Sequence, residues 1–173
     1  LIDDLHTLSL SDLGALTYHK EPVDLAEIVQ DAVDAQRAAL LERKIEIQLN
    51  LGSFLVSGDA DRLVQVFANL LQNSLRYTDA PGSVEVGIKQ VAGQVVVHWQ
   101  DSAPGVPEHD LPRLKEHLFR VDGSRSRAGG GSGLGLAIAD AIVQAHGGTL
   151  TAVASPLGGL RLEMKFPAWP NAS

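Results

Sequence analysis

The chain has 173 residues, 45% of them hydrophobic, enough for one globular domain with a real core. Its formal net charge of −7 argues against general nucleic-acid binding, which needs a basic face, and the lack of cysteine excludes disulfides and thiolate metal sites. No apolar run approaches the roughly 20 residues that cross a bilayer and no signal peptide is visible, so a soluble piece is expected.

The chain starts at Leu1 and its only methionine is Met164, so it is read as part of a longer protein. LIDDLHTLSLSDLGAL places Leu1, Ile2, Leu5 and Leu8 at helical spacing, as the end of an amphipathic helix cut from a hairpin or coiled coil. Pro22 punctuates, and Asp24 is placed to cap a helix over LAEIVQDAVDAQRAALLERK. IEIQLNL (45–51) alternates as a strand should, and FLVSGD is a short second strand. Asp59 or Asp61 then caps a helix through residues 62–77. SVEVGIKQV and QVVVHWQD form a hairpin across Ala92-Gly93. A helix near 108–118 leads into a basic, glycine-rich segment, and GLGLAIADAIVQAHGG is a helix stopped by Gly147-Gly148. GTLTAVAS and GLRLEMKFP make a last strand pair. Helices and strands in mixed order, with at least two hairpins, predict an α/β sandwich: helices on one face of a mixed, mostly antiparallel sheet. The domain is expected over 22–168, after an upstream remnant at 1–21 and before a tail at 169–173.

Three stretches carry candidate chemistry. On the helix over 62–77, Leu63, Val66, Phe67, Leu70, Leu71, Ser74 and Leu75 fill the core stripe, while Asn69, Asn73 and Arg76 share a flank sector of about 60°. Asparagine is a poor helix-interior residue, so two of them one turn apart ask for a reason. An amide oxygen is a neutral hard ligand suited to Mg²⁺, which takes other oxygens from water and substrate phosphates, and a neighbouring arginine can hold those phosphates. Solvated asparagines, or asparagines tying down a loop, explain the same helix. GGGSGLGLAI puts Gly131, Gly133 and Gly135 at a helix entrance, where bare amides form an anion cradle; a plain loop is the competing reading. No G-x-x-x-x-G-K-[ST] is present and no strand runs into these glycines, which removes the two commonest nucleotide fingerprints. In DSAPGVP, Asp101 ends a strand, and a buried carboxylate there needs a donor, such as the exocyclic amine of adenine; a turn-initiating Asp is the alternative. Between Pro112 and Ala128, Arg113, Lys115, Arg120, Arg125 and Arg127 outnumber Glu116 and Asp122, which suits a local anion site or a solvated loop.

In this order the pieces resemble the ATP-binding domain of sensor histidine kinases, the Bergerat ATP-binding fold shared with gyrase, Hsp90 and MutL. NLLQNSLRYT resembles the N box, DSAPGVP the G1 box, LKEHLFRVD the F box and GSGLGLAI the G2 box. LIDDLHTLSLSD and YHKEPVDL look like the end of the second dimerisation helix and its linker, so the resemblance covers nearly the whole chain. It implies that Asn73 coordinates Mg²⁺, that Asn69 supports the ion or its waters, and that Arg76 and Arg120 approach the phosphates as catalytic groups. It further implies that Tyr77 lines the nucleotide pocket, Asp101 accepts the adenine amine and Gly105 gives the base room. Gly131, Gly133, Leu134 and Gly135 would form the turn under the phosphates.

Some positions depart from the pattern. Ser102 and Ala103 replace the usual Asn and Gly of the G1 box, and Lys115 and Leu118 stand where the F box carries aromatics, with Phe119 keeping part of that packing. No phosphoacceptor box, a histidine followed by an acidic residue on a first dimerisation helix, is present; His6, on the partnerless first helix, is kept only as a remote candidate, and His19, His98, His109, His117 and His146 lack the box as well. The resemblance therefore implies an ATP- and Mg²⁺-dependent protein-histidine kinase domain acting on a dimerisation domain and feeding a response regulator, within a cytoplasmic portion of a membrane-anchored homodimer of the bacterial inner membrane. A gyrase-type ATPase is the alternative. It needs a water-activating carboxylate at position 69, yet no acid occurs between Asp61 and Asp79. A degenerate nucleotide sensor or scaffold is the third.

Overall fold

The computed structural model describes residues 2, 16–102, 104–116, 119 and 133–170. The expectations for the first helix, Ala103, Leu118, Arg120, Arg125, Arg127, Gly131, His6 and His117 lie outside these residues.

The elements run β1 (Glu21–Asp24), α1 (Leu25–Ala35), α2 (Arg37–Glu42), β2 (Ile45–Leu51), β3 (Leu55–Gly58), α3 (Ala60–Tyr77), β4 (Gly82–Val91) and β5 (Gln94–Ser102), then a 3-10 helix (Glu108–Arg113), α4 (Gly135–Ala145), β6 (Thr149–Ala154) and β7 (Gly158–Pro167). Five strands form one sheet in the order β2-β4-β5-β7-β6; β2 pairs parallel with β4 and every other pair is antiparallel. The expected α/β sandwich with a mixed, mostly antiparallel sheet is the observed architecture.

Alternation sets the sheet's two faces. Val84, Val86 and Ile88 of β4, Val95, Val97 and Trp99 of β5, and Leu160, Leu162, Met164 and Phe166 of β7 are buried and belong to one core with α1, α3 and α4. On the opposite face His98, Gln100, Arg161, Glu163 and Lys165 stay partly exposed, and His98 Nε2 lies 3.1 Å from Glu163 Oε2. Phe67 of α3 stacks on Trp99 with centroids 6.3 Å apart, an aromatic contact worth about 1 kcal/mol beyond area burial.

The local signals explain the element ends. Asp24 Oδ1 accepts from Ala26 N–H (2.9 Å) and Asp59 Oδ1 from Arg62 N–H (3.2 Å), so each caps its helix. Ala92 and Gly93 both take positive φ, as a two-residue hairpin turn requires. Gly148 N–H donates to Val143 O and Gly147 N–H to Gln144 O, a Schellman stop for α4.

Three expectations need correction. The single helix over 25–44 is two, broken at Gln36. Leu25, Val29 and Val33 face the core, and a straight helix would next aim Gln36 and Arg37 inward; the break lets Leu40 be buried instead. The helix near 108–118 is only a 3-10 turn over Glu108–Arg113, because Pro112 lacks an N–H and crowds the preceding turn. Pro22 lies within a short strand rather than merely breaking the chain: β1 pairs with β3 in a separate two-stranded sheet, an edge setting that tolerates proline.

Residues before β1 are tied to the domain. His19 N–H donates to Asp59 Oδ2 (2.8 Å), Lys20 Nζ to Ala145 O (2.7 Å), and Tyr18 meets the His146 ring edge-on. His146 is buried and accepts Asp59 N–H at Nε2 (3.0 Å) while its Nδ1 faces Ile142 O (2.7 Å). A donor on one side and a carbonyl on the other leave one neutral tautomer, protonated at Nδ1. These contacts join the N-terminus of α3 to the C-terminus of α4.

Candidate functional site

Helix α3 presents its chemistry on the flank next to α4. Its buried residues are Leu63, Val66, Phe67, Leu70, Leu71, Ser74 and Leu75, the stripe expected from periodicity, so Asn69, Asn73 and Arg76 sit half-buried at the margin. Asn69 Nδ2 donates to Gly135 O (3.2 Å), and a Cβ at Gly135 would lie 3.9 Å from Asn69 Cβ. The amide thus fastens α3 to the first residue of α4, and its Oδ1 is the atom left to face a cation or its water. Asn73 and Arg76 have no hydrogen-bond or ion-pair partner among the described residues. Tyr77, half-buried, ends the helix, and the next residue carries a buried hydroxyl, Thr78 Oγ1, without a hydrogen-bond partner among the described residues.

The start of α4 is built for close approach. Gly133 has φ +71°, a left-handed conformation that side chains resist, and Leu134 is fully buried with its carbonyl accepting Ile138 N–H (2.9 Å). No described side chain caps this helix, so its first-turn amides suit an anion.

Asp101 continues the inward row Val95–Val97–Trp99 as its polar end and is 6% exposed. Its position depends on a bulge: Gln100 pairs with Arg161 but Ser102 with Gly158, so Gly159 and Leu160 together oppose Asp101. Leu160 N–H consequently donates to Asp101 Oδ1 at 2.8 Å. A Cβ at Gly159 would sit 2.3 Å from that same oxygen, so only glycine fits there. On the other side Ser74 Oγ lies 3.4 Å from Asp101 Oδ2 and accepts Trp99 Nε1–H at 3.0 Å. The buried carboxylate thus finds donors within the protein itself, in addition to any that a ligand amine would bring. Gly105 is close-packed, its absent Cβ lying 3.1 Å from Gly158 O.

The base of the basic segment is anchored by a residue first read as a departure. Lys115 Nζ donates to Leu150 O (2.9 Å) and lies 3.5 Å from Asp140 Oδ1 on α4, and Arg113 sits 4.2 Å over the Phe119 ring. Nothing in the spacing marked Ser74 or Trp99, which read as core residues, and Lys115, counted in the basic cluster, is bonded instead to Leu150 O and beside Asp140.

The donor set fits MgATP. Two half-buried amides offer neutral oxygens for a hard cation, a guanidinium without an ion-pair partner among the described residues and the first-turn amides of α4 offer phosphate donors, and an oriented carboxylate offers an acceptor for an amine. Among the described residues no group of three or more His, Cys, Asp or Glu could hold a metal ion.

A mixed sheet under three helices, with an Asn-bearing helix, an Asp on a bulged strand and a glycine-opened helix around one site, defines a class. The chain belongs to the histidine kinase-, DNA gyrase B- and HSP90-like ATPase family, whose family model matches residues 58–170. Among particular proteins it is 49% identical over 168 residues to the signal transduction histidine-protein kinase BaeS of Escherichia coli K12, covering 96% of this chain and 36% of BaeS. It is 38% identical to the sensor histidine kinase CusS of the same organism, covering 97% and 35%. The solved structure of the Acinetobacter baumannii histidine kinase AdeS superposes with a TM-score of 0.80 at 27% identity, covering 96% of this chain and 76% of that one. The chain thus spans about a third of the length of these curated relatives.

Proposed function

We propose that this chain is the ATP-binding catalytic domain of a two-component sensor histidine kinase. It holds MgATP so that the γ-phosphoryl passes to a histidine on a dimerisation domain, releasing ADP, and the phosphoryl is then relayed to a response regulator. The observation that carries this reading is Asp101, fixed by Leu160 N–H and Ser74 on the strand beside an α3 flank whose Asn73 and Arg76 side chains have no partner among the described residues.

In this reading Asn73, with Asn69 behind it, would hold Mg²⁺, which would supply positive charge against the transferring phosphates. Arg76 and Arg120 bind and orient the triphosphate, and Gly131, Gly133, Leu134 and Gly135 receive it over the amides of α4. Asp101 accepts the adenine amine, Gly105 admits the ring and Tyr77 lines the pocket. Positioning supplies most of the rate, as phosphoryl transfer requires. A gyrase-type hydrolase is less well supported, because Asn69 stands where a base would activate water and its amide is engaged by Gly135 O. The resemblance to sensor histidine kinases further implies a membrane-anchored homodimer with this domain in the cytoplasm; no described helix is long and apolar enough to cross a membrane.

The test joins this domain to its dimerisation helices and supplies γ-labelled ATP. Acid-labile, base-stable label on histidine is expected. Steady ATP turnover without phosphohistidine would replace the kinase with the hydrolase.

A further inference from the structure

We propose that Ser74 is a positioning residue for base selection, acting with Trp99 to hold Asp101 as a pure acceptor. This rests on the reading that Asp101 meets the adenine amine.

The direction of the hydrogen-bond chain follows from chemistry alone. An indole N–H can only donate, so the 3.0 Å contact from Trp99 Nε1 occupies a lone pair of Ser74 Oγ. The hydroxyl has one proton, and the acceptor facing it is Asp101 Oδ2 at 3.4 Å. Trp99, Ser74 and Asp101 therefore form a one-way chain ending on the carboxylate; were Ser74 to accept from Asp101 as well, both its lone pairs would be taken by donors and its own proton would lose the acceptor it faces. All three are buried, at 1%, 1% and 6% exposure, so water does not compete for these bonds. Leu160 N–H pins Oδ1 from the opposite side, and the Asp101 backbone and Oδ1 fill the space a Gly159 side chain would take. The carboxylate cannot swing toward β7, and the Ser74 hydroxyl donates to its Oδ2. Adenine offers a 6-amino donor at the edge where guanine offers a carbonyl acceptor, and an acceptor-only carboxylate selects the first. Ser74 also adjoins Asn73, so base selection and the amide flank share one turn of α3.

Replacing Ser74 by alanine removes the donor to Oδ2 and orphans the Trp99 N–H. Calorimetric affinities for ATP, GTP and purine riboside triphosphate (adenosine without its amine) separate base selection from general damage, because ratios between nucleotides are insensitive to a uniform loss. In Ser74→Ala the ATP preference over both analogues should shrink roughly ten-fold, with the purine riboside triphosphate affinity within about two-fold of wild type. Trp99→Phe, which keeps the ring and removes only the N–H, should give a smaller shift in the same direction, and it decides the question if Ser74→Ala does not fold. Unchanged ratios in the folded variants overturn the proposal. Asp101→Ala distinguishes the two failures: if its ratios collapse while those of Ser74→Ala hold, only the role of Ser74 is lost. If Asp101→Ala also leaves them unchanged, the adenine reading itself is lost.

Discussion

At the scale of single residues the site divides by what each side chain is already bonded to. Asn69 spends its amide hydrogens on Gly135 O, whereas Asn73 has no partner among the described residues. Asn73→Ala should therefore weaken MgATP by about ten-fold or more, some 1.4 kcal/mol, while leaving metal-free ATP nearly unchanged. Equal losses with and without Mg²⁺, read by calorimetry, would remove Asn73 from the metal. Asp101→Ala should weaken ATP far more than inorganic triphosphate; a parallel loss would place the carboxylate away from the base. The sequence made this division half visible. Periodicity placed Asn69, Asn73 and Arg76 on one flank, since a helix fixes angle from spacing alone. It could not separate the two asparagines, because what distinguishes them is a carbonyl 66 residues away.

At the scale of elements the bulge between β5 and β7 is decisive. Without the extra residue opposite Asp101, the Leu160 N–H would not reach its carboxylate. Gly159→Ala puts a Cβ 2.3 Å from Asp101 Oδ1 and 2.3 Å from Ser102 O, and the second is backbone that cannot step aside. A loss of about 1–3 kcal/mol in denaturant unfolding is expected, with weaker ATP binding in the surviving fold. Wild-type stability in that variant would mean the bulge is not a constraint. The strands and turns here were legible: IEIQLNL alternates, Ala92-Gly93 marks its turn, and Gly147-Gly148 ends α4. The bulge was not, since a register slip depends on how two strands meet, and GLRLEMKFP reads the same with or without it. The break at Gln36 was missed because both halves of that segment have helical spacing, and only Leu40's burial shows that the second half turns.

At the scale of the whole molecule, His146 links stability to pH. Burial pushes its imidazole below the ordinary value of 6.5, with Lys20 adding to the effect against the opposing Ile142 carbonyl and Asp59. His98 is lowered as well, by burial and then Arg161. With folded values below unfolded ones, the unfolded chain binds more protons, so stability falls as pH drops through about 6.5 toward the folded values. Burial also pushes Asp59 upward, but the His19 and Arg62 amides outweigh it and hold the carboxylate below 3.8, so its loss comes only in stronger acid. Melting curves from pH 7.5 to 5 should show a declining melting temperature, and His146→Gln should flatten the decline, leaving the part due to His98. An unaltered slope would show that His146 is not the titrating group. The layered architecture was legible from element order, yet the parallel β2–β4 pairing was not, because the intervening β3 and α3 hide which strand β2 joins.

That parallel pairing also orders the assembly of the chain in time. The β4–β5 and β6–β7 hairpins close over a few residues and can zip early, whereas β2 must hold its place while β3 and α3 are laid down before it finds β4. The sheet is thus expected to grow from its middle and far edge, and β2, with the α1–α2 pair leading into it, to dock last. An intermediate caught during refolding should protect the Val95–Val97 amides from exchange well before those of Gln48 and Asn50, which face β4.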